Sequence, residues 1–223
     1  VPVVQVPTTL LAMVDSSVGG KTAVDIGGIK NIVGAFHQPR SVLIDPEVLK
    51  TLDARQFACG AAEIIKMAAT FDEAFFARIE ASGIRGSEAQ LEEIIANALR
   101  IKAHVVEEDE KEQGLRKALN FGHTLGHGME SVSGNLLHGE CVALGMLPMI
   151  ESKALQKRVR AVYRRLGLPT RTTYDKEKVL AEMLHDKKAQ SGQITIIKVP
   201  GLGCWRAETI PVEGLRPLLG IEE

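Results

Sequence analysis

The rhythm of apolar positions changes near residue 54. Before it, short β-branched runs bounded by Gly and Pro (PVVQVP, SVLID) flank a glycine-rich stretch, DSSVGGKTAVDIGGIKN, a pattern that predicts strands of an α/β sheet. After it, apolar residues recur at helical spacing. Phe57, Ala61, Ile64, Ile65 and Ala68 mark a helix in ARQFACGAAEIIKMAATF. Leu91, Ile94, Ile95, Ala98, Leu99, Ile101 and Val105 form the apolar side of a long amphipathic helix in EAQLEEIIANALRIKAHVVEEDEK. Further helices are expected at about 121–133, 137–153 and 156–166, the last closed by Pro169, and in DKEKVLAEMLHDKK. QITIIKVP reads as a strand and the tail from about residue 212 as a short helix. The expected fold class is therefore an α/β remnant over residues 1–53 followed by a mostly α-helical domain over residues 54–223. The chain opens without Met on Val3–Val6, which reads as a buried strand with no polar lead-in. A fragment whose N-terminal part once paired with that strand is the expectation. No internal repeat or low-complexity linker is visible.

Composition narrows the class. The 223 residues are 45% hydrophobic and 25% charged, with 27 Lys+Arg against 28 Asp+Glu and a net charge of −1. A disordered chain would be poorer in apolar residues and further from neutrality. A nucleic-acid binder would carry a basic excess, and its stacking surface would need more than the 6 Phe, 2 Tyr and 1 Trp present. No uncharged apolar run reaches the roughly 18 residues of a membrane span. Cys59, Cys141 and Cys204 are few and far apart, so they form no disulfide framework or zinc knuckle, and a reducing cytoplasm is expected. The N-terminus lacks the basic region of a signal peptide.

Candidate chemistry concentrates in NFGHTLGHGMES and LLHGECVALGM. His123 and His127 are four apart and share a helix face. His138 follows a Gly134-Asn135 turn that can return a second helix antiparallel. Two imidazoles and a carboxylate are a usual set around a catalytic divalent ion. Glu63, flanked by small and apolar residues in one helix, is the leading carboxylate, and Glu140 is its competitor. Hydrogen-bonded core or capping histidines are the plain alternative. His123-x-x-x-His127 has the spacing of a zinc-protease helix, but Thr124 stands where that chemistry needs Glu. Gly20-Lys21-Thr22 resembles the end of a phosphate loop, but Asp15 stands where its first Gly is required. Lys66 lies one turn after Glu63, Arg116 and Asn120 lead into His123, Lys102 sits in the apolar section LRIKAHVV, and Lys187 and Lys188 end a helix. Singly they read as surface charges; together they suggest a pocket for an anionic phosphate or carboxylate. The run EEDEKE reads as a solvated helix end, with Glu112 set apart by the Gly114-Leu115-Arg116 that follows.

VPTTLLAMVDSSVGGKTAVD, IVGAFHQPRSVLID, CGAAEIIKMAA, EKEQGLRKALNFGHTLGHGME and LHGECVALGM, in this order, closely resemble the 3-dehydroquinate synthases of the sugar-phosphate cyclase family. The resemblance runs from residue 2 to about 150 and more weakly through HDKK to the end. It implies an NAD-binding α/β domain followed by a helical metal-binding domain. It implies Glu63, His123 and His138 as ligands of Zn2+ or Co2+. Thr8, Thr9, Lys21, Lys30, Val48, Leu49, Lys50 and Thr51 match positions that touch NAD. Asp15, Lys66, Lys102, Arg116, Asn120, His127 and Lys187 match substrate-pocket positions. Glu112 and His127 match residues assigned to proton transfer, and Lys66 belongs with them at the catalytic centre. The family's glycine-rich NAD loop would precede residue 1, and Ile29 stands where the family usually has Gly before the Lys-Asn pair. The implied reaction converts 3-deoxy-arabino-heptulosonate 7-phosphate to 3-dehydroquinate and phosphate, through transient oxidation by NAD, phosphate elimination, re-reduction and an intramolecular aldol. The resemblance also implies a homodimer with a phosphorylated sugar acid as its partner, and neither nucleic acid nor membrane. The rivals are another cyclitol synthase or metal-dependent polyol dehydrogenase, and a non-catalytic metal-binding fragment or half of a split protein.

Overall fold

At the centre lies one helix buried on nearly every side. In the computed structural model, which describes residues 1–27, 29–185 and 192–221, α1 spans Ala54–Phe71 and every residue from Phe57 to Thr70 is buried. Asp53 caps its start, accepting from the backbone N–H of Arg55 at 2.9 Å and Gln56 at 3.3 Å. Lys187 and the side chains of Ile29 and Lys30 lie outside the described residues. So does the end of the helix expected in DKEKVLAEMLHDKK.

Two capped helices follow. Asp72 caps α2 (Glu73–Ser82) and Ser87 caps α3 (Glu88–Glu108). Next comes a helical hairpin, α4 (His123–Val132) and α5 (His138–Met146), joined through residues 133–137. Pairing of Gly126 with Cys141 and Val142, and of Gly122 with Gly145, makes the two helices antiparallel. Gly139 at the start of α5 lies on the backbone of Cys59, where a Cβ would fall 2.5 Å from the Cys59 Cα. Small residues on α1 and α5 thus bring Glu63 and His138 onto touching helices. α6 (Lys153–Leu166) ends at Gly167 in the left-handed region, φ 78°. α7 (Lys176–His185) packs on α4. An antiparallel hairpin of β5 (Gln193–Gly201) and β6 (Cys204–Pro211), then α8 (Arg216–Leu219), complete the C-terminal part.

The N-terminal segment holds β1 (Val4–Gln5) paired in parallel with β4 (Ser41–Val42), and an antiparallel hairpin of β2 (Lys21–Ile26) and β3 (Ile29–Phe36). A π-helical turn, Ala12–Ser16, docks on α1 and α3 through Leu10, Met13 and Val14, all fully buried. One apolar cluster runs from Leu10 to Leu219.

Several sequence expectations change. Val3, Val4 and Val6 are 38%, 51% and 64% exposed rather than buried, because β1 pairs only with β4 among the described residues. The glycine-rich stretch is largely hairpin. The long helix ends at Glu108, since the Asp109 side chain turns to cap the loop that follows. α2 and β6 had no clear signal. α2 is only ten residues long, with Phe75 and Phe76 adjacent and not periodic. In β6, Arg206 pairs with Glu151 and Glu208 with Lys198, so charges break up its apolar alternation. No described helix is long and apolar enough to cross a membrane.

Candidate metal centre

Glu63 stands in the middle of α1, His123 and His127 one turn apart on α4, and His138 at the first position of α5. The structure brings these four together. The imidazole centroids lie 5.3 Å (His123–His127), 5.5 Å (His123–His138) and 5.9 Å (His127–His138) apart. Nε2 of His123 is 3.6 Å, and Nε2 of His138 3.7 Å, from the same oxygen, Oε1 of Glu63. Two donors on one tetrahedral ion at about 2.1 Å stand roughly 3.4 Å apart. The observed spacings are close to that edge length. Potential ligand atoms of Glu63, His123 and His138 all lie within 4.8 Å of one another.

Hydrogen bonding sharpens the case. His123 Nδ1 faces the backbone carbonyl of Phe121 at 3.3 Å, and His138 Nδ1 faces Oε2 of Glu130 at 3.1 Å. Both acceptors call for an N–H on Nδ1, which turns the Nε2 lone pairs toward Glu63. A lone pair facing a carboxylate oxygen is repulsive unless a cation lies between them. Glu63 is fully buried; Lys66 forms an ion pair with Oε2, yet neither oxygen accepts a hydrogen bond of ordinary geometry. A buried carboxylate left in this way is costly. A divalent cation fits this donor set.

The titration behaviour agrees. Burial, reinforced by the charge of Lys66, pushes His123 down to about 3, so it stays in the neutral, ligating form. Hydrogen bonding to Glu130, then the proximity of the Glu63 carboxylate, raises His138 to about 9, so without a metal a proton occupies that position. Burial disfavours the charge of Glu63, but the Lys66 ammonium outweighs it and holds its carboxyl well below the usual range. Lys66 is raised: burial opposes its charge, and Glu63 and Asp15 outweigh the burial.

A floor of paired charges surrounds the trio. Lys102 binds the side chain and backbone carbonyl of Asp15 on the π-helical turn. Burial lowers Lys102, with Asp15 opposing the shift. Asp15 is lowered because Lys66 and Lys102 outweigh its burial. Arg116, buried, donates to the carbonyls of Gly19 at 2.9 Å and Glu110 at 2.7 Å. Glu112 accepts from Lys21 and Asn120. It is the one non-glycine with positive φ (60°) among the described residues. Asp109 holds that turn, accepting from the backbone N–H of Gln113, Gly114 and Arg116 at 2.7–3.0 Å.

Other predicted positions lie apart. Lys50 pairs with Glu47 and Glu88 at the start of α3, whereas Lys21 pairs with Glu112 beyond its end, the helix between being roughly 30 Å long. Thr9 Oγ1 accepts from Ala12 N–H at 3.2 Å, and Thr8 is exposed. Thr51 donates to the Val48 carbonyl, and Leu49 packs into the core, leaving only its backbone for a ligand. Glu140, the competing carboxylate, points away from the trio. It accepts two hydrogen bonds from Arg55 at 2.6 Å and one from Leu137 N–H at 2.9 Å, capping α5. Sequence reasoning passed over Glu130, which follows His127 by three residues in the same histidine string, and Arg55 and Asp109, whose partners no spacing rule points to.

Comparison with known proteins accords with this arrangement. A family model described as 3-dehydroquinate synthase N-terminal matches residues 1–59, and one described as 3-dehydroquinate synthase C-terminal matches residues 60–189. The 3-dehydroquinate synthase of Pelobacter propionicus is 45% identical over all of this chain and 66% of its own length. That of Sulfurimonas denitrificans is 47% identical over 90% of this chain and 60% of its own length. The chain spans about 58–66% of the length of the curated relatives it matches. Among solved structures, 2-epi-5-epi-valiolone synthase (ValA) from Streptomyces hygroscopicus, with NAD+ and Zn2+ bound, superposes with TM-score 0.84 at 28% identity, covering 98% of this chain and 66% of that one. A 2-deoxy-scyllo-inosose synthase complexed with carbaglucose-6-phosphate, NAD+ and Co2+ gives 0.85 at 25% identity with the same coverage. With both family models matching in order and the histidine hairpin set against α1 as the motifs implied, the chain belongs to the 3-dehydroquinate synthase family.

Proposed function

We propose that this chain carries the metal- and substrate-holding part of a 3-dehydroquinate synthase. That enzyme converts 3-deoxy-arabino-heptulosonate 7-phosphate to 3-dehydroquinate and phosphate, a step toward aromatic amino acids. The observation that carries the proposal is the pair of Nε2 atoms, 3.6 and 3.7 Å from one oxygen of a buried, hydrogen-bond-starved Glu63. Glu63, His123 and His138 would hold Zn2+ or Co2+. When bound, such an ion polarises the oxygens it holds and lowers the pKa of a hydroxyl. NAD is proposed as the second cofactor, in keeping with the two neighbours solved with it. Thr8, Thr9, Lys21, Lys30 and residues 48–51 are the proposed contacts, on a segment (residues 1–53) assigned to the nucleotide-binding domain. Residues 54–223 are assigned to the metal and substrate.

The chain's own residues then have distinct tasks. Lys66, Lys102, Arg116, Asn120 and Lys187 would bind the anionic ends of the substrate. Asp15 holds Lys102 in place for that task. His127, the most exposed of the three imidazoles, can exchange protons with substrate and solvent, and Glu112 is its proposed companion. The partner is a phosphorylated sugar acid, and the proposed assembly is a homodimer.

Incubating the chain with the sugar acid phosphate, NAD and Zn2+ tests the proposal. Phosphate release without net NADH supports it. NADH accumulation without phosphate would make the protein a polyol dehydrogenase. Tight zinc binding with neither product would leave a metal-binding portion that needs the rest of the enzyme.

A further inference from the structure

Each ligating imidazole needs something to decide which of its nitrogens is free. For His123 the answer is local: the Phe121 carbonyl, two residues back, lies against Nδ1, and the ring is 12% exposed. His138 is different. It opens α5, its ring is 31% exposed, and its Nδ1 faces a side chain where that of His123 faces a backbone carbonyl. What faces its Nδ1 is the carboxylate of Glu130, 3.1 Å away and 17% exposed, on the neighbouring helix.

We propose that Glu130 is the positioning residue of the metal centre: by accepting the Nδ1–H of His138 it turns Nε2 toward Glu63 as a lone-pair donor. The inference rests on the metal assignment made above. A carboxylate behind a ligating imidazole fixes both the tautomer and the ring plane, and it makes the imidazole a better donor. Here it also joins two helices. Glu130 lies on α4, two turns after His123, while His138 belongs to α5. The hydrogen bond therefore ties the ligand on α5 to the helix that carries the other imidazole. The most exposed of the three proposed ligands is the one so tethered.

A second trio, His127, Glu130 and His138, also offers ligand atoms within 4.8 Å of one another and could hold an ion of its own. Geometry disfavours that reading. His138 turns Nε2 to Glu63 and Nδ1 to Glu130, so ions on both sides would require it to lose its remaining N–H proton and bridge them as an imidazolate.

Zinc affinity of the chain, by competition with a chromophoric chelator, tests this, with stoichiometry from elemental analysis. Glu130→Ala is expected to bind one equivalent about 10–100-fold more weakly than the wild type. Glu130→Gln, whose amide oxygen still accepts from Nδ1–H, is expected to recover most of the loss, whereas Glu130→Met, of similar length but without that acceptor, is not; a purely steric role would be rescued by both. The Co2+ absorption spectrum should stay tetrahedral in Gln and change in Ala. Unchanged affinity in Glu130→Ala overturns the proposal, as does a second zinc in the wild type that this variant loses. Failure of His138→Ala to weaken binding would instead remove the metal assignment itself.

Discussion

Gly139→Ala tests whether close helix approach builds the centre. The added Cβ would lie 2.5 Å from the Cα of Cys59, against an ordinary carbon–carbon contact of about 3.5–4.0 Å. The obstacle is α1 backbone, which cannot rotate aside, so α5 must retreat by about 1 Å. His138 is the adjacent residue, and its Nε2 would move by a similar amount from the Glu63 oxygen now 3.7 Å away. A metal site tolerates about 0.2 Å in ligand distance. Two effects oppose each other in stability. Gly→Ala within a helix gains up to about 1 kcal/mol, and less at the second position of α5. Overpacking costs about 1–3 kcal/mol. The clash wins, with a fall in Tm of a few degrees at about 2–4 °C per kcal/mol for this length. Zinc affinity should drop more than tenfold. Thermal unfolding of the metal-free chain and chelator competition read the two effects separately. A variant as stable as the wild type, with equal zinc affinity, would refute the claim that the Gly139–Cys59 contact sets the ligand spacing.

Further outcomes follow from the same geometry. His123→Ala should copurify without stoichiometric zinc by elemental analysis; full zinc content would move the ligand role elsewhere. Lys66→Met leaves the buried Glu63 and the nearby Asp15 without their shared cation, at a cost of about 3–5 kcal/mol in urea unfolding of the metal-free chain, and the deficit should shrink when zinc is saturating. Glu80 accepts from Arg158 at 2.7–3.2 Å, and that hydrogen bonding lowers its carboxyl despite the opposing desolvation. A depressed carboxyl stabilises above its unfolded value of 4.5 and loses that contribution as pH falls through its folded value. The Tm difference between wild type and Glu80→Gln should therefore be constant above about pH 5 and vanish in more acid solution. A difference that instead grows on acidification counts against the pair.

Some of this was legible before any coordinates. The i, i+4 histidines and a carboxylate inside a run of small apolar residues mark the centre because helix periodicity projects directly onto space. The change of pattern near residue 54 and the helix end near residue 166 were legible as well, although the caps the structure puts there, Asp53 and Gly167, were not singled out. Glu130 could have been found by the same periodicity, as it shares a helix face with His127. Arg55 with Glu140 is another matter: the partners are 85 residues apart, and their pairing depends on α1 and α5 touching at Gly139. The burial of Lys66 was equally hidden, since a lysine one turn after a glutamate is ordinarily a solvated pair. β6 escaped because the charges it carries are satisfied by partners on neighbouring segments.

The pairing of charges at the centre has a mechanistic consequence. Asp15, Glu63, Glu112 and Glu130 are offset within this region by Lys21, Lys66, Lys102 and Arg116, and the imidazoles are neutral when they ligate. A floor so balanced has little pull on an anion, because each lysine is already held by a carboxylate. A divalent ion beside Glu63 changes that. It would share that carboxylate with Lys66, and at about 4 Å a doubly charged ion and an ammonium repel by roughly 8 kcal/mol at an effective dielectric of 20. Oε1 faces both Nε2 atoms and Oε2 faces Lys66, so Glu63 would hold the ion through Oε1 while Oε2 stays with the ammonium. A loaded centre would carry an excess of two positive charges, which suits the phosphorylated acid proposed as substrate. Metal loading would in this sense make the proposed substrate site cationic. The Lys66→Met experiment reads this sharing directly: if zinc does not relieve the variant's instability, the ion and the lysine are not sharing Glu63.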